Sequence, residues 1–123
     1  MTKLEQLLQS VRSELGMDFV STDVVGMDGL SIAGGSIDPN FDATAASARF
    51  AMVVKLGAKV ASKMDMGAVD DILVTTNGVY ILARFIGDGS YYWGLAVTRD
   101  ATLGMVRMLM SEYADQLWAA IPH

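Results

Sequence analysis

The sequence predicts one α/β (α+β) domain over residues 1–123, with elements in the order α-β-β-α-β-β-β-α. Three observations lead there. Asp28-Gly29 and Asn77-Gly78 each sit between apolar stretches, and such pairs suit a two-residue hairpin turn because both central positions need positive φ. Three other segments repeat apolar residues at helical period. The later strands are apolar on both faces, so the sheet they form needs helices on both sides. With 123 residues and 52% of them hydrophobic, the chain is long enough for one real core and too apolar for disorder. No internal repeat, low-complexity tract or linker divides it.

Residues 2–15 read as a short amphipathic helix. Thr2 and Glu5 have capping-box spacing, Leu4, Leu8, Val11 and Leu15 share one face beside Leu7, and Gly16 suits the stop. Residues 18–36 read as a hairpin turning at Asp28-Gly29, loosened at its end by Gly34-Gly35-Ser36. No Gly-Lys-Ser/Thr follows those glycines and no Gly-x-Gly-x-x-Gly is present, so they do not read as a phosphate cradle. A long helix is expected over 39–65, opened by Asp38-Pro39. At 100° per residue its core stripe comprises Ala43, Ala46, Phe50, Val53, Val54, Gly57, Val60, Ala61 and Met64. The opposite side carries Arg49, Lys55, Lys59 and Lys63, with Ala45, Ala48, Met52 and Leu56 running between them.

Three strands follow, about 70–76, 79–86 and 91–98, separated by Asn77-Gly78 and by Gly87-Asp88-Gly89-Ser90. A last helix over about 101–121, capped by Asp100, carries Leu103, Val106, Met110, Tyr113, Leu117 and Ile121 on one stripe. Most of the nine methionines are expected in the core, where a flexible thioether fills irregular gaps.

Composition excludes whole classes of chemistry. Without cysteine there is no disulfide framework, thiolate metal site or cysteine nucleophile. The one histidine is His123, which leaves histidine-based acid/base catalysis and multi-histidine metal sites without residues. Asp70-Asp71 is the nearest carboxylate pair, but neighbours on a strand point to opposite faces; they read as a strand start that discourages wrong pairing. No metal, no organic cofactor and no catalysis by this chain are expected. A net charge of −5 and a pI near 4.6 argue against nucleic acid. The charged start, Met1-Thr2-Lys3-Leu4-Glu5, is unlike a signal peptide, and no run approaches about 18 apolar residues. A cytoplasmic protein with no membrane insertion is the expectation.

The element order, with its turns, resembles the Roadblock/dynein light chain 7 family, and within it the bacterial MglB-like regulators. The resemblance rests on Met27-Asp28-Gly29-Leu30-Ser31-Ile32-Ala33, on Ile72 to Leu82 around Asn77-Gly78, on the alanine-rich long helix, and on Ala101-Thr102-Leu103-Gly104-Met105-Val106-Arg107. It implies a five-stranded antiparallel sheet sandwiched between the long central helix and the two terminal helices, with the third strand at an edge. It also implies a homodimer joined through that strand (Ile72, Leu73, Val74, Thr75, Thr76) and the long helix. The implied partner is a small Ras-like GTPase, whose hydrolysis such proteins activate without inserting an arginine finger.

The residues lend independent support. An open Ile-Leu-Val-Thr-Thr edge would invite aggregation, and self-pairing removes that liability. Four of the nine basic residues of an acidic chain lie on the long helix, which suits an acidic partner surface. The expected partner contact is Ala45, Ala48, Arg49, Met52, Lys55, Leu56, Lys59 and Lys63. Two alternatives stand beside it: a non-catalytic homodimeric adaptor, and a profilin- or PAS-like sensor with Tyr91, Tyr92 and Trp93 lining a small-molecule pocket.

Overall fold

The structure, a computed structural model, describes residues 1–122; His123 lies outside them. Helix α1 (Lys3–Leu15) is followed by a single 3-10 turn, strands β1 (Phe19–Gly26) and β2 (Ser31–Ser36), and helix α2 (Ala43–Lys63). Strands β3 (Asp71–Thr75), β4 (Val79–Ile86) and β5 (Tyr91–Thr98) lead into helix α3 (Leu103–Ala120). The order α-β-β-α-β-β-β-α is the one expected. All five strands form one antiparallel sheet in the order β2-β1-β5-β4-β3, which puts β3 at an edge.

Local chemistry sets the boundaries. Thr2 caps α1 by accepting the Glu5 N–H at 3.1 Å, and Gly16, with φ 58°, closes the helix by donating to the Arg12 carbonyl. The α2 start departs from expectation. Asp38 accepts the Asn40 N–H at 2.9 Å in a local turn, and Asp42 caps the helix through the Ala45 N–H at 3.1 Å. Two aspartates four residues apart competed for one cap, and the nearer one to the apolar run won. At α3 the cap position falls on Thr102 rather than Asp100, without a side-chain bond.

The sheet separates two cores of unequal size. On one face α1 and α3 pack Leu4, Leu8, Val11, Val106, Met110 and Leu117 against Trp93, Leu95 and Val97. On the other, α2 brings only Ala51 and Val54 to Val25, Ala83 and Tyr92. Sixteen buried residues make the first cluster and five the second, so α2 covers its face of the sheet thinly. Tyr91 and Trp93 belong to the first face and Tyr92 to the second, so these three rings do not line one pocket. Methionine also departs from expectation: Met110 alone is buried, Met27 is half-buried, and the other seven are exposed.

A buried polar link ties β1 to β5 inside the larger core. The Trp93 indole N–H donates to Thr22 Oγ1 at 2.7 Å, and that hydroxyl donates to the Gly94 carbonyl at 2.9 Å. Thr22→Val keeps the shape and strands the indole donor. An unsatisfied buried donor costs about 1–3 kcal/mol, so urea unfolding should show a loss of that size with an unchanged m value. An effect below about 0.5 kcal/mol would mean that the bond contributes little.

Candidate functional site

Helix α2 lies on the sheet along the line Ser47, Ala51 and Val54. Two close approaches orient its flanks. A Cβ at Gly57 would stand 2.6 Å from Ile72 Cδ1, so that side leans on β3. A Cβ at Gly29 would stand 3.4 Å from the Ala48 Cα, so the other side leans on the β1–β2 turn. The 3.6-residue repeat then sorts the exposed residues. Toward β3 lie Val53, Val60 and Met64, all exposed, with Val60 at 47%, while Leu56, at 62%, points outward between the flanks. Away from β3 lie Ala48, Met52, Lys55, Lys59 and Lys63, with Met52 at 72%.

This arrangement corrects the expected core stripe. Phe50, Gly57 and Ala61 are half-buried and Val54 is buried, but Val53, Val60 and Met64 reach solvent, while Ser47 and Ala51 are buried instead. The helix is apolar almost all the way round, so its sequence has little contrast to say which apolar residues face inward. The residues expected to meet a partner divide between the flanks. Ala48, Arg49, Met52, Lys55, Leu56, Lys59 and Lys63 are exposed, and Ala45 is half-buried. Arg49 and Leu56 point outward between the two flanks, opposite the buried line of the helix.

Edge strand β3 continues the apolar flank. Ile72, Leu73 and Val74 are half-buried and Thr75 is exposed. Thr76 lies one residue beyond the strand: its N–H donates to the Val79 carbonyl at 3.0 Å, and its Oγ1 accepts the Gly78 and Val79 N–H groups. That bond sets the pleat. Backbone groups alternate along an antiparallel strand, so Ile72 and Val74 point theirs to β4, while Asp71, Leu73 and Thr75 point theirs to the open edge. Asp71 is held from α3 by a two-pronged pair with Arg107, at 2.9 and 3.2 Å. That hydrogen bond is the main reason the Arg107 guanidinium is raised above its usual range. The other edge, β2, reads Ser-Ile-Ala-Gly-Gly-Ser and offers a partner far less apolar surface.

Under α2 sits a polar cluster that sequence reading missed. Asp23 projects from β1 and accepts hydroxyl hydrogen bonds from Ser31 of β2 and Ser47 of α2. Tyr92 Oη donates to the Ser47 carbonyl at 2.8 Å. Burial raises the Asp23 carboxyl above the ordinary 3.8, partly offset by those hydroxyls and the Val24 backbone. Burial, then the charge of Asp23, pushes Tyr92 up to about 12. A lone aspartate in an alternating strand carries no sequence signal for this role. Among the described residues, no group of three or more His, Cys, Asp or Glu is placed to hold a metal ion.

The pH consequence of Asp23 has a definite sign. Between 3.8 and its raised value, the folded state keeps a proton that the unfolded state has released. Stability therefore falls as pH rises through that window and stays lower above it. Asp23→Asn removes this dependence. The wild-type minus variant difference in urea stability should decline from pH 3.5 to pH 7. A difference that grows with pH would reverse the assignment.

Solved structures share this arrangement of sheet and helices. MglB from Myxococcus xanthus matches with a TM-score of 0.86 at 15% identity, over 95% of this chain and 93% of that one. A Roadblock/LC7 domain from Streptomyces avermitilis matches with 0.83 at 17%, over 94% of each chain. The fold is a Roadblock fold. Profilin IA from Acanthamoeba castellanii is similar at a lower TM-score, 0.64, with 10% identity over 94% of this chain and 96% of that one. No protein-family model and no curated protein matches the sequence. In this Roadblock fold the exposed apolar residues Val53, Val60 and Met64 of α2 lie on the side of the open strand β3.

Proposed function

We propose that this Roadblock chain is a homodimeric regulator of a small Ras-like GTPase. The observation that carries the reading is the split outer face of α2, apolar toward β3 and basic away from it. The apolar flank and the β3 edge serve the second copy. Pairing through Asp71, Leu73 and Thr75 satisfies an open row of backbone groups, and Val53, Val60 and Met64 lose their water to the partner helix. Ile72, Leu73, Val74, Thr75 and the adjoining Thr76 form that contact.

The basic flank serves the GTPase. Ala48 and Met52 give an apolar footing and Lys55, Lys59 and Lys63 a steering rim, with Ala45, Arg49 and Leu56 where the two surfaces meet. The dimer holds the switch segments of the GTPase in a hydrolysis-ready arrangement and supplies no side chain to the reaction. The fold likeness to MglB and the resemblance of the hairpins to MglB-like regulators support this reading. No helix of the described residues is long and apolar enough to cross a membrane.

The test is binding of a GTPase loaded with either nucleotide. Wild type should bind the triphosphate form preferentially. Met52→Arg should weaken binding at least tenfold with the fold intact, because that side chain touches mainly solvent. Lys59→Glu with Lys63→Glu should slow association and flatten its salt dependence more than it speeds dissociation. Full binding by Met52→Arg would move the partner surface elsewhere. Binding without any effect on hydrolysis would favour the adaptor.

A further inference from the structure

Helix α2 leaves an opening over the sheet beneath its first turns. A cavity of about 260 Å³ lies there between the helix and strands β1, β4 and β5. Phe41, Phe50, Tyr92 and Ile81 line it, together with Asp23 and Ser47, whose hydroxyl donates to the Asp23 carboxylate. The geometry points to this cavity as a binding site for a small organic ammonium, with a ring-sized apolar body in the space and its nitrogen against the Asp23 carboxylate.

Three features select that chemistry. The first is size: an apolar cavity of roughly 150 Å³ holds benzene, so this one admits a ring carrying a short chain. The second is charge. The groups acting on Asp23 are the Ser31 and Ser47 hydroxyls and the Val24 backbone, and none is a cation. Two hydroxyls leave carboxylate lone pairs unused, and a partly desolvated carboxylate gains most from a positive partner. Among the described residues no basic side chain lines the cavity, so a phosphate or carboxylate ligand would meet like charge and hydrocarbon there. The third is the aromatic lining. Phe41, Phe50 and Tyr92 border one small space, and aromatic faces attract ammonium groups while accepting an apolar body equally well. This inference stands apart from the GTPase reading, since it uses the inner side of α2 and none of the residues assigned to either partner.

The experiment titrates the full purified chain at pH 7 with phenethylamine and, separately, with its neutral isostere 2-phenylethanol, following methyl and ring signals by NMR. Phenethylamine should bind saturably and about tenfold or more tightly than the alcohol. The shifts should centre on Ile81, Phe50 and Tyr92 and spare Leu117 across the sheet. Asp23→Asn should abolish the preference for the amine while leaving the alcohol's weaker binding in place. Equal affinity for the two probes, shifts centred elsewhere, or no saturable binding of phenethylamine would overturn the proposal. The comparison of probes on wild type needs no variant, so it decides the matter even if Asp23→Asn does not fold.

Discussion

Val60→Arg should turn a two-chain particle, twice 13.2 kDa, into a 13.2 kDa monomer in sedimentation at micromolar concentration. Val60 is 47% exposed on the flank of α2 that leans toward β3, so the single chain accommodates the new side chain in water. In the proposed dimer the same guanidinium would be buried in the interface, a cost of several kcal/mol. A proline on the edge strand should act through the backbone. Thr75→Pro removes an N–H aimed at the open edge and should also weaken the dimer, whereas Val74→Pro removes a donor to β4 and should damage the fold itself. Dimers that survive both Val60→Arg and Thr75→Pro would place the interface on other residues.

Gly87→Ala should be among the most destabilising single-methyl additions in the chain. Gly87 sits in the β4–β5 turn at φ 61°, and a Cβ there would lie 2.0 Å from Trp118 Cδ2. The indole cannot easily retreat, because it packs against the larger core and meets the Tyr91 ring edge-on at 6.4 Å. Left-handed backbone strain of about 1–2 kcal/mol adds to overpacking of about 1–3 kcal/mol, for a loss near 3 kcal/mol. At this size that lowers Tm by roughly 10–15 °C. Gly89→Ala is the internal control. It shares the positive φ, at 87°, but meets nothing within 4 Å, so only the strain of about 1–2 kcal/mol should appear. Equal Tm losses for the two variants would show that contact with Trp118 is not the cause.

The order of elements was legible because its punctuation is chemical. The chain reverses at Asp28-Gly29 and Asn77-Gly78 as expected, but of those four residues only Gly29 takes positive φ, and at the second turn Thr76 Oγ1 accepts the Gly78 and Val79 N–H groups; the Thr2 cap forms as its spacing predicts. The helices on both faces followed from strands that are apolar on both sides, and the five-stranded antiparallel sheet from the resemblance to the Roadblock family. The rotation of α2 was not legible. Val53, Val54, Leu56, Gly57 and Val60 are all apolar, so burial is decided by where β3 and the β1–β2 turn approach the helix, through Gly57 and Ala48. The basic side of α2 was read correctly as exposed, since Lys55, Lys59 and Lys63 have no low-cost place inside. Asp23 escaped notice for the opposite reason. It stands in a short polar run, Ser21-Thr22-Asp23, inside an otherwise apolar strand, and it is held by Ser31 and Ser47, which arrive from β2 and α2.

A single-turnover GTP hydrolysis assay tests the regulatory reading most directly. A GTP-loaded Ras-like GTPase that binds this chain is followed alone, with wild type, with monomeric Val60→Arg and with Arg49→Ala. Wild type should raise the rate at least tenfold, Val60→Arg should lose the stimulation, and Arg49→Ala should retain it, since the proposed mechanism brings no side chain of this protein into the reaction. A rate unchanged by saturating wild type, or one lost only in Arg49→Ala with binding intact, would contradict the account.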